Sequence, residues 1–186
     1  MQNAFSDSFP LRSGRVHEVC GAGAAGFAAM AAAQVTGHVP WIREAWLHDA
    51  LNPVALADFI DPARILLMRT PGQTDSLAVA EEALKDTAVR FVVIQITRPL
   101  NLREGRRLQL AAKAGGTTGL CLIPEGMGSN AAETRWRAVP VLDPQRPDST
   151  LMRWEIIKNK SGTNGAWHVR WDEQTHHLLV VSPAGN

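Results

Sequence analysis

Residues 16–37 read VHEVCGAGAAGFAAMAAAQVTG, and the fold class follows from the order of the three patterns within them. The first five residues alternate apolar and polar side chains, which is typical of a strand. Gly21 to Gly26 then predicts a loop, and the alanine-rich part predicts a helix to Thr36 that Gly37 stops. A strand, a glycine loop and a helix in this order predict the beginning of an α/β fold.

The alternation of strands and helices continues along the chain. Apolar runs predict further strands at 39–42, 65–68, 91–94 and 120–123. Helices are predicted between them: one is capped by Asn52, one follows Pro71-Gly72, and one begins with an Asn101–Glu104 capping box. In this last helix we expect the buried stripe to include Leu102 and Leu108. Runs of apolar residues bounded by helices are typical of parallel strands.

After Pro124 the pattern changes, because no helix separates the predicted strands. These strands cover residues 136–142, 152–158, 167–171 and 177–181. The sequence therefore predicts an α/β fold with a mostly parallel sheet flanked by helices, which C-terminal antiparallel strands extend. We expect one domain over residues 1–186, with residues 1–13 forming a flexible N-terminal segment.

Composition restricts the classes of function. The formal net charge of +1 excludes a protein that finds its partners mainly through bulk charge. Cys20 and Cys121 lie in or at the end of apolar runs, as reduced thiols do, and no apolar stretch reaches the ~18 residues of a membrane span. We expect a cytoplasmic protein without membrane contact. The six histidines lack zinc-site spacing, so no metal is predicted.

The glycine loop has the spacing of a phosphate loop but lacks its reactive residues. Phe27 and Ala28 stand where a working loop has Lys and Ser or Thr, and Gln95 stands where a strand would end in an acidic magnesium ligand. We therefore expect no enzyme activity and no nucleotide cofactor at Gly21, Gly23 and Gly26. The alternative role for these glycines is close packing of the helix on the strand.

Several runs resemble known families. GRVHEV at 14–19 and WEIIKNK at 154–160 resemble the RecA ATPase core. RRLQLAAKAGGTTGL at 106–120 and TRWR at 134–137 resemble ImuA, the RecA-related family encoded with the bacterial mutagenesis cassette. The resemblance spans about Gly14 to Asp172 and implies a RecA-like core.

The resemblance also implies a function. It suggests a non-catalytic adaptor of SOS-induced translesion synthesis, which contacts an ImuB-like Y-family polymerase homologue, the error-prone C-family DNA polymerase and, as a further candidate, RecA. Direct DNA binding stays open. One alternative is a SulA-like cell-division inhibitor that binds the tubulin-like division protein, because SulA also has a RecA-like fold without a working phosphate loop. Another is a residual nucleotide-binding protein.

Three residues match positions at the nucleotide of RecA. Lys158 and Lys160 match two lysines that reach the nucleotide of a neighbouring subunit, which implies contact with the intact site of a true RecA subunit. The alternative for both is a solvated strand edge. Glu44 lies at about the place of the water-activating glutamate, but it has no metal ligands beside it and is interpreted as a structural or surface residue.

A basic stripe is predicted on the helix that Asn101 begins. Its members share one exposed sector at helical spacing, and they are Arg103, Arg106, Arg107 and Lys113. This stripe could bind DNA phosphate or an acidic partner surface, or it could be an ordinary solvated face. Tryptophans of the antiparallel flank are expected to pack in the core, or to form a partner-binding patch if their face is uncovered.

Overall fold

A nine-stranded sheet runs through residues 5–49, 51–144, 146 and 149–184, which the computed structural model describes. Its strands are β1 (Val16–Cys20), β2 (Val39–Glu44), β3 (Ile65–Thr70), β4 (Phe91–Gln95), β5 (Thr118–Leu122), β6 (Thr134–Pro140), β7 (Met152–Asn159), β8 (Gly165–Asp172) and β9 (His177–Pro183). The α-helices of these residues are α1 (Ala24–Ala33), α2 (Pro53–Ala57), α3 (Gln73–Lys85) and α4 (Leu102–Gly115). Short 3₁₀ turns cover Phe5–Asp7 and Pro62–Arg64.

The strand order is β3-β2-β4-β5-β1-β6-β7-β8-β9. Every pairing from β3 through β6 is parallel, and the pairings from β6 to β9 are antiparallel. The predicted fold class is confirmed. One detail differs, because β6 pairs parallel with β1 and only its other neighbour is antiparallel. Residues 123–133 connect β5 to β6 and are long enough to return the chain to the amino-terminal edge of the sheet without a helix. The absence of a helix in this connection is why the parallel pairing of β6 was not predicted.

Helices cover both faces of the parallel strands. On one face, Phe27 and Met30 of α1 pack against Val19 and Val93. On the other, apolar residues of α3 and α4, such as Leu84, join a second cluster formed by the alternate strand positions. Strands covered on both faces must be apolar at consecutive positions, which explains the continuous runs in the sequence.

The tryptophans of the antiparallel flank lie in the core. Trp136 and Trp154 have no exposed surface, and Trp167 and Trp171 are at most 5% exposed. Their rings pack beside α1, with Phe27 4.3 Å from Trp154 between ring centroids. The core interpretation is confirmed, and the uncovered aromatic patch is wrong, because α1 and the N-terminal segment cover this face.

The N-terminal segment contributes to the same cluster. Phe9 and Leu11 are buried in it, and Phe5 lies against Phe9 and Trp167. A flexible segment is expected from the sequence over residues 1–13, whereas these three side chains pack onto the domain. Residues 1–4 of that range lie outside the described residues. Isolated apolar residues in a polar stretch give no periodicity, so the packing left no pattern to detect.

Helix α4 is bounded as its sequence indicates. The Asn101 side chain accepts the Glu104 N–H and the Glu104 carboxylate accepts the Asn101 N–H, which forms the predicted capping box, and Gly116 ends the helix in the left-handed region. Leu102, however, is 53% exposed and not part of the buried stripe. It lies to one side of the buried face of α4, which carries Gly105, Leu108, Ala111, Ala112 and Gly115.

His17 of β1 is buried with both ring nitrogens bonded, Nδ1 to the Thr134 hydroxyl at 2.7 Å and Nε2 to the Arg12 carbonyl at 3.0 Å. Burial lowers the pKa of His17 to about 4. The folded state therefore binds fewer protons than the unfolded state between pH 6.5 and 4. We expect the free energy of unfolding to be unaffected by this group above pH 6.5 and to fall by about 3 kcal/mol towards pH 4.

Urea unfolding across this pH range measures the effect. In His17→Gln we expect a shallower fall between pH 6.5 and 4, while His38→Gln, at an exposed position, should keep the slope of the parent protein. Equal slopes in all three proteins would contradict the assignment.

Candidate functional site

The glycine loop lies at the carboxyl end of β1 and packs against β6 and β7. Gly21 adopts φ +95°, and a Cβ there would lie 2.5 Å from the Ala138 carbonyl oxygen. The N–H of Gly23 donates to this same oxygen at 2.9 Å, and Met152 lies over Gly23 and Gly26. The loop therefore contacts the protein itself where a phosphate loop would contact its ligand.

The two residues after the loop point into the core. Phe27 and Ala28 have no exposed surface, and the Phe27 ring lies 5.4 Å from Trp136 and 4.3 Å from Trp154. The side chain that replaces the phosphate-binding lysine is thus part of the aromatic cluster. It supplies neither charge nor a hydrogen-bond donor at the loop.

Two further residues, Glu44 and Gln95, match positions of a nucleotide site. The Glu44 carboxylate makes structural contacts, and Gln95 carries no charge. Glu44 is 5% exposed, accepts the Trp46 indole N–H at 2.6 Å and accepts the Thr97 hydroxyl. Thr97 in turn donates its N–H to the Gln73 side chain at 2.8 Å. Glu44 therefore joins the ends of β2 and β4, which agrees with the structural interpretation. Gln95 ends β4 as a half-buried amide.

The basic stripe of α4 divides between two neighbours. Its four members are all exposed. Arg107 turns towards α3 and pairs with Glu81 at 2.5 Å, and the hydrogen bonds from Lys85 and then from Arg107 lower the pKa of Glu81. Arg106 instead lies beside the loop of residues 129–132. The four side chains therefore do not act as one uniform surface.

Lys158 and Lys160 both bind the loop of residues 129–132. The Lys158 ammonium donates to three carbonyl oxygens of this loop, at 2.9 to 3.1 Å, and Lys160 donates to the Ala131 carbonyl at 2.8 Å. Burial, together with the nearby Arg135, lowers the pKa of Lys158. Lys158 is half-buried, whereas the alternative of a solvated strand edge expects an exposed side chain. Contact of either lysine with a RecA subunit stays a prediction.

A groove separates α4 from this loop, and we call it the α4 groove. Its volume is about 350 Å³, and its walls are Leu102, Arg106, Gln109, Leu110, Asn130, Ala131 and Lys160. Gly105 allows the close approach of helix and loop, because a Cβ there would lie 2.5 Å from the Ser129 hydroxyl. The α4 groove brings Arg106 and Lys160, which the sequence analysis singled out separately, to one place.

Glu18 and Arg135 form a largely buried ion pair, with 2% and 20% of their side chains exposed, which was not predicted from the sequence. Glu18 is 1% exposed, and its carboxylate accepts Arg135 Nε at 2.7 Å and the Ser129 N–H at 2.7 Å. The pair ties β1 to β6 and anchors the loop of residues 129–132. A signal was available, because a carboxylate in the middle of a buried strand requires a partner.

Neither a metal centre nor a membrane-spanning helix is found among the described residues. They contain no cluster of His, Cys, Asp and Glu that could hold a metal ion. Their helices are all too short or too polar to cross a bilayer. The expectation that the protein uses no metal stays a prediction.

Sequence comparison finds two similar curated proteins. Both are called Protein ImuA, from Caulobacter vibrioides strains NA1000/CB15N and ATCC 19089/CIP 103742/CB 15. This chain is 29% identical to each over 157 residues, which cover 75% of it and 63% of the relative. The chain thus spans less than two thirds of the length of these relatives. No protein-family model matches it.

Structural comparison supports the same fold. The crystal structure of the RadB recombinase superposes with a TM-score of 0.65 and 14% sequence identity, covering 88% of this chain and 90% of that chain. The chain therefore has a RecA- and RadB-like fold, as expected from its sequence. The resemblance to ImuA, first noted in short runs, extends over three quarters of the chain.

Proposed function

We propose that this protein is a non-catalytic, RecA-like adaptor of SOS-induced mutagenic translesion synthesis. It acts through protein contacts with an ImuB-like Y-family polymerase homologue and with the error-prone C-family DNA polymerase, and RecA is a further candidate partner. The similarity to Protein ImuA supports this assignment of the pathway. The RecA-like fold supports a role beside recombination proteins.

The observation that carries the non-catalytic part is the packing of the glycine loop. The Gly23 N–H is bonded to the Ala138 carbonyl, and the position of the catalytic lysine is a buried Phe27. A loop in this state offers no cation to the β- and γ-phosphates and no hydroxyl to Mg²⁺. We therefore expect the protein to act through contacts with other proteins.

Co-expression with the ImuB-like homologue, followed by size-exclusion chromatography, tests the proposal. We expect the two proteins to elute together, with the same stoichiometry and affinity when Mg·ATP is present and when it is absent. The reason is that nucleotide has no site through which to change the surface of the adaptor. A parallel assay of the purified protein should show no magnesium-dependent ATP hydrolysis.

Three outcomes would contradict the proposal. Separate elution of the two proteins would contradict the proposed partner. ATP hydrolysis that is lost in a Gly26 variant would contradict the non-catalytic role. Filamentation of growing cells that overexpress the protein, without complex formation, would favour the division-inhibitor alternative.

A further inference from the structure

We infer that the α4 groove is the docking site for an acidic segment that carries aliphatic side chains and belongs to the polymerase homologue. This inference rests on the proposed function, because it assigns that complex a surface. Three features of the groove favour such a segment, namely its charge, its apolar stripe and the stiffness of its wall.

Positive charge is left unneutralised on the groove side of α4. Within the described ranges, Arg103, Arg106 and Lys113 have no ion-pair partner, and Lys160 is bonded to a neutral carbonyl. Two acidic side chains of α3 and α4 are already used, since Glu81 pairs with Arg107 and Glu104 with Arg98. A partner that brings carboxylates would therefore find free cations and no competing acid.

An apolar stripe runs along the same side. Leu102, Arg106 and Leu110 follow one another at intervals of four residues, which places them in one row on the helix. Leu102 is 53% exposed and Leu110 is 68% exposed. Two exposed leucines around an arginine form a small patch of the kind that a partner protein covers.

The composition of this row favours protein over nucleic acid. A phosphate backbone would be held by cations arranged along a broad surface, and it would leave both leucines uncovered. The chain as a whole carries a formal charge of only +1. A volume of about 350 Å³ accommodates a few side chains of an inserted segment.

The wall opposite α4 is held in place before any partner arrives. Lys158 and Lys160 bind its carbonyls, and the Gln109 amide donates to the Ala131 carbonyl at 3.0 Å and to the Val16 carbonyl at 2.8 Å. Arg135 adds a bond to the Ser129 carbonyl at 3.1 Å. A groove that is already ordered loses little conformational entropy when a segment docks.

Isothermal titration of the purified chain with the purified polymerase homologue tests the inference. We expect Arg106→Glu and Leu110→Asp each to weaken binding by at least about tenfold, because both place a negative charge against an acidic segment. Arg69→Glu is the matched control, since it makes the same change of charge at an exposed position of the edge strand β3, four strands away from β1, and should alter the Kd by less than about twofold. Thermal melting of each variant shows that it is folded.

A photo-crosslinking residue at position 110 identifies the docked segment. We expect crosslinks to a segment of the homologue that contains both Asp or Glu and Leu, Ile, Val or Phe. Crosslinks only to segments without carboxylates would overturn the inference. So would a result in which Arg106→Glu weakens binding to a fluorescein-labelled single-stranded oligonucleotide and leaves binding to the homologue unchanged.

The titration separates this inference from the proposed function. If the parent protein forms no complex, the proposed function fails and the docking site fails with it. If a complex forms and both groove variants bind like the parent protein, the docking site is overturned while the proposed function stands. Equal weakening by Arg69→Glu would mean attraction by overall charge, which also overturns the docking site.

Discussion

Phe27→Lys, which restores the missing lysine of the phosphate loop, is expected to lower the free energy of unfolding by at least about 4 kcal/mol and to create no nucleotide site. Phe27 has no exposed surface and lies between Trp136 and Trp154. The variant therefore loses a buried aromatic ring and places an ammonium group among apolar rings. Each of these changes is costly without the other.

Urea unfolding and nucleotide titration together check this prediction. Phe27→Leu is the control, for which we expect a loss of about 1 kcal/mol, because it keeps the position apolar. Burial lowers the pKa of a lysine, so the folded variant binds fewer protons than the unfolded chain, and its stability should rise with pH. A Phe27→Lys protein that melts with the parent and binds Mg·ATP saturably would refute the structural account of the loop.

Glu18→Ala is expected to cost about 3–5 kcal/mol, although Glu18 does not itself line the α4 groove. The substitution leaves the Arg135 guanidinium and the Ser129 N–H without their acceptor. Removing one member of a largely buried ion pair is more damaging than replacing both, because the charge that remains, here the guanidinium of a side chain that is 20% exposed, loses its counter-ion. The loop of residues 129–132 also loses an anchor, so we expect weaker partner binding by the fraction that stays folded.

Glu125→Ala provides the comparison. Glu125 pairs at 2.5 Å with Arg137, which lies in β6 as Arg135 does, but both side chains are about half exposed. Solvent screens such pairs, and we expect a loss below about 1 kcal/mol. Chemical denaturation of the two variants under the same conditions measures the difference. Equal losses would show that burial does not control the strength of the Glu18–Arg135 pair.

Most of the fold could be predicted from the sequence because its signals are local. The apolar runs gave the strands, the Asn101–Glu104 pair gave the start of α4, and Gly116 its end. The sequence also shows that the phosphate loop lacks its essential cation, since Phe27 stands where a working loop has a lysine. These features depend on residue type and on spacing along the chain, which are printed in the sequence.

The α4 groove could not be predicted because it depends on contacts between distant segments. Arg106 and Lys160 are far apart in sequence and meet only because the loop of residues 129–132 folds back against α4. The division of the basic stripe had the same cause, since Glu81 on α3 draws Arg107 away. Helical spacing alone placed all four cations in one sector and gave no information on their neighbours.

The bond between the Gly23 N–H and the Ala138 carbonyl has a consequence for regulation. At the start of α1, where the positive end of the helix dipole would attract a phosphate, a backbone oxygen of the same chain takes the place of the ligand. Because this N–H is already bonded within the chain, we expect nucleotide not to act as a switch here, and we expect the activity of this protein to follow its abundance in the cell and not the ratio of ATP to ADP.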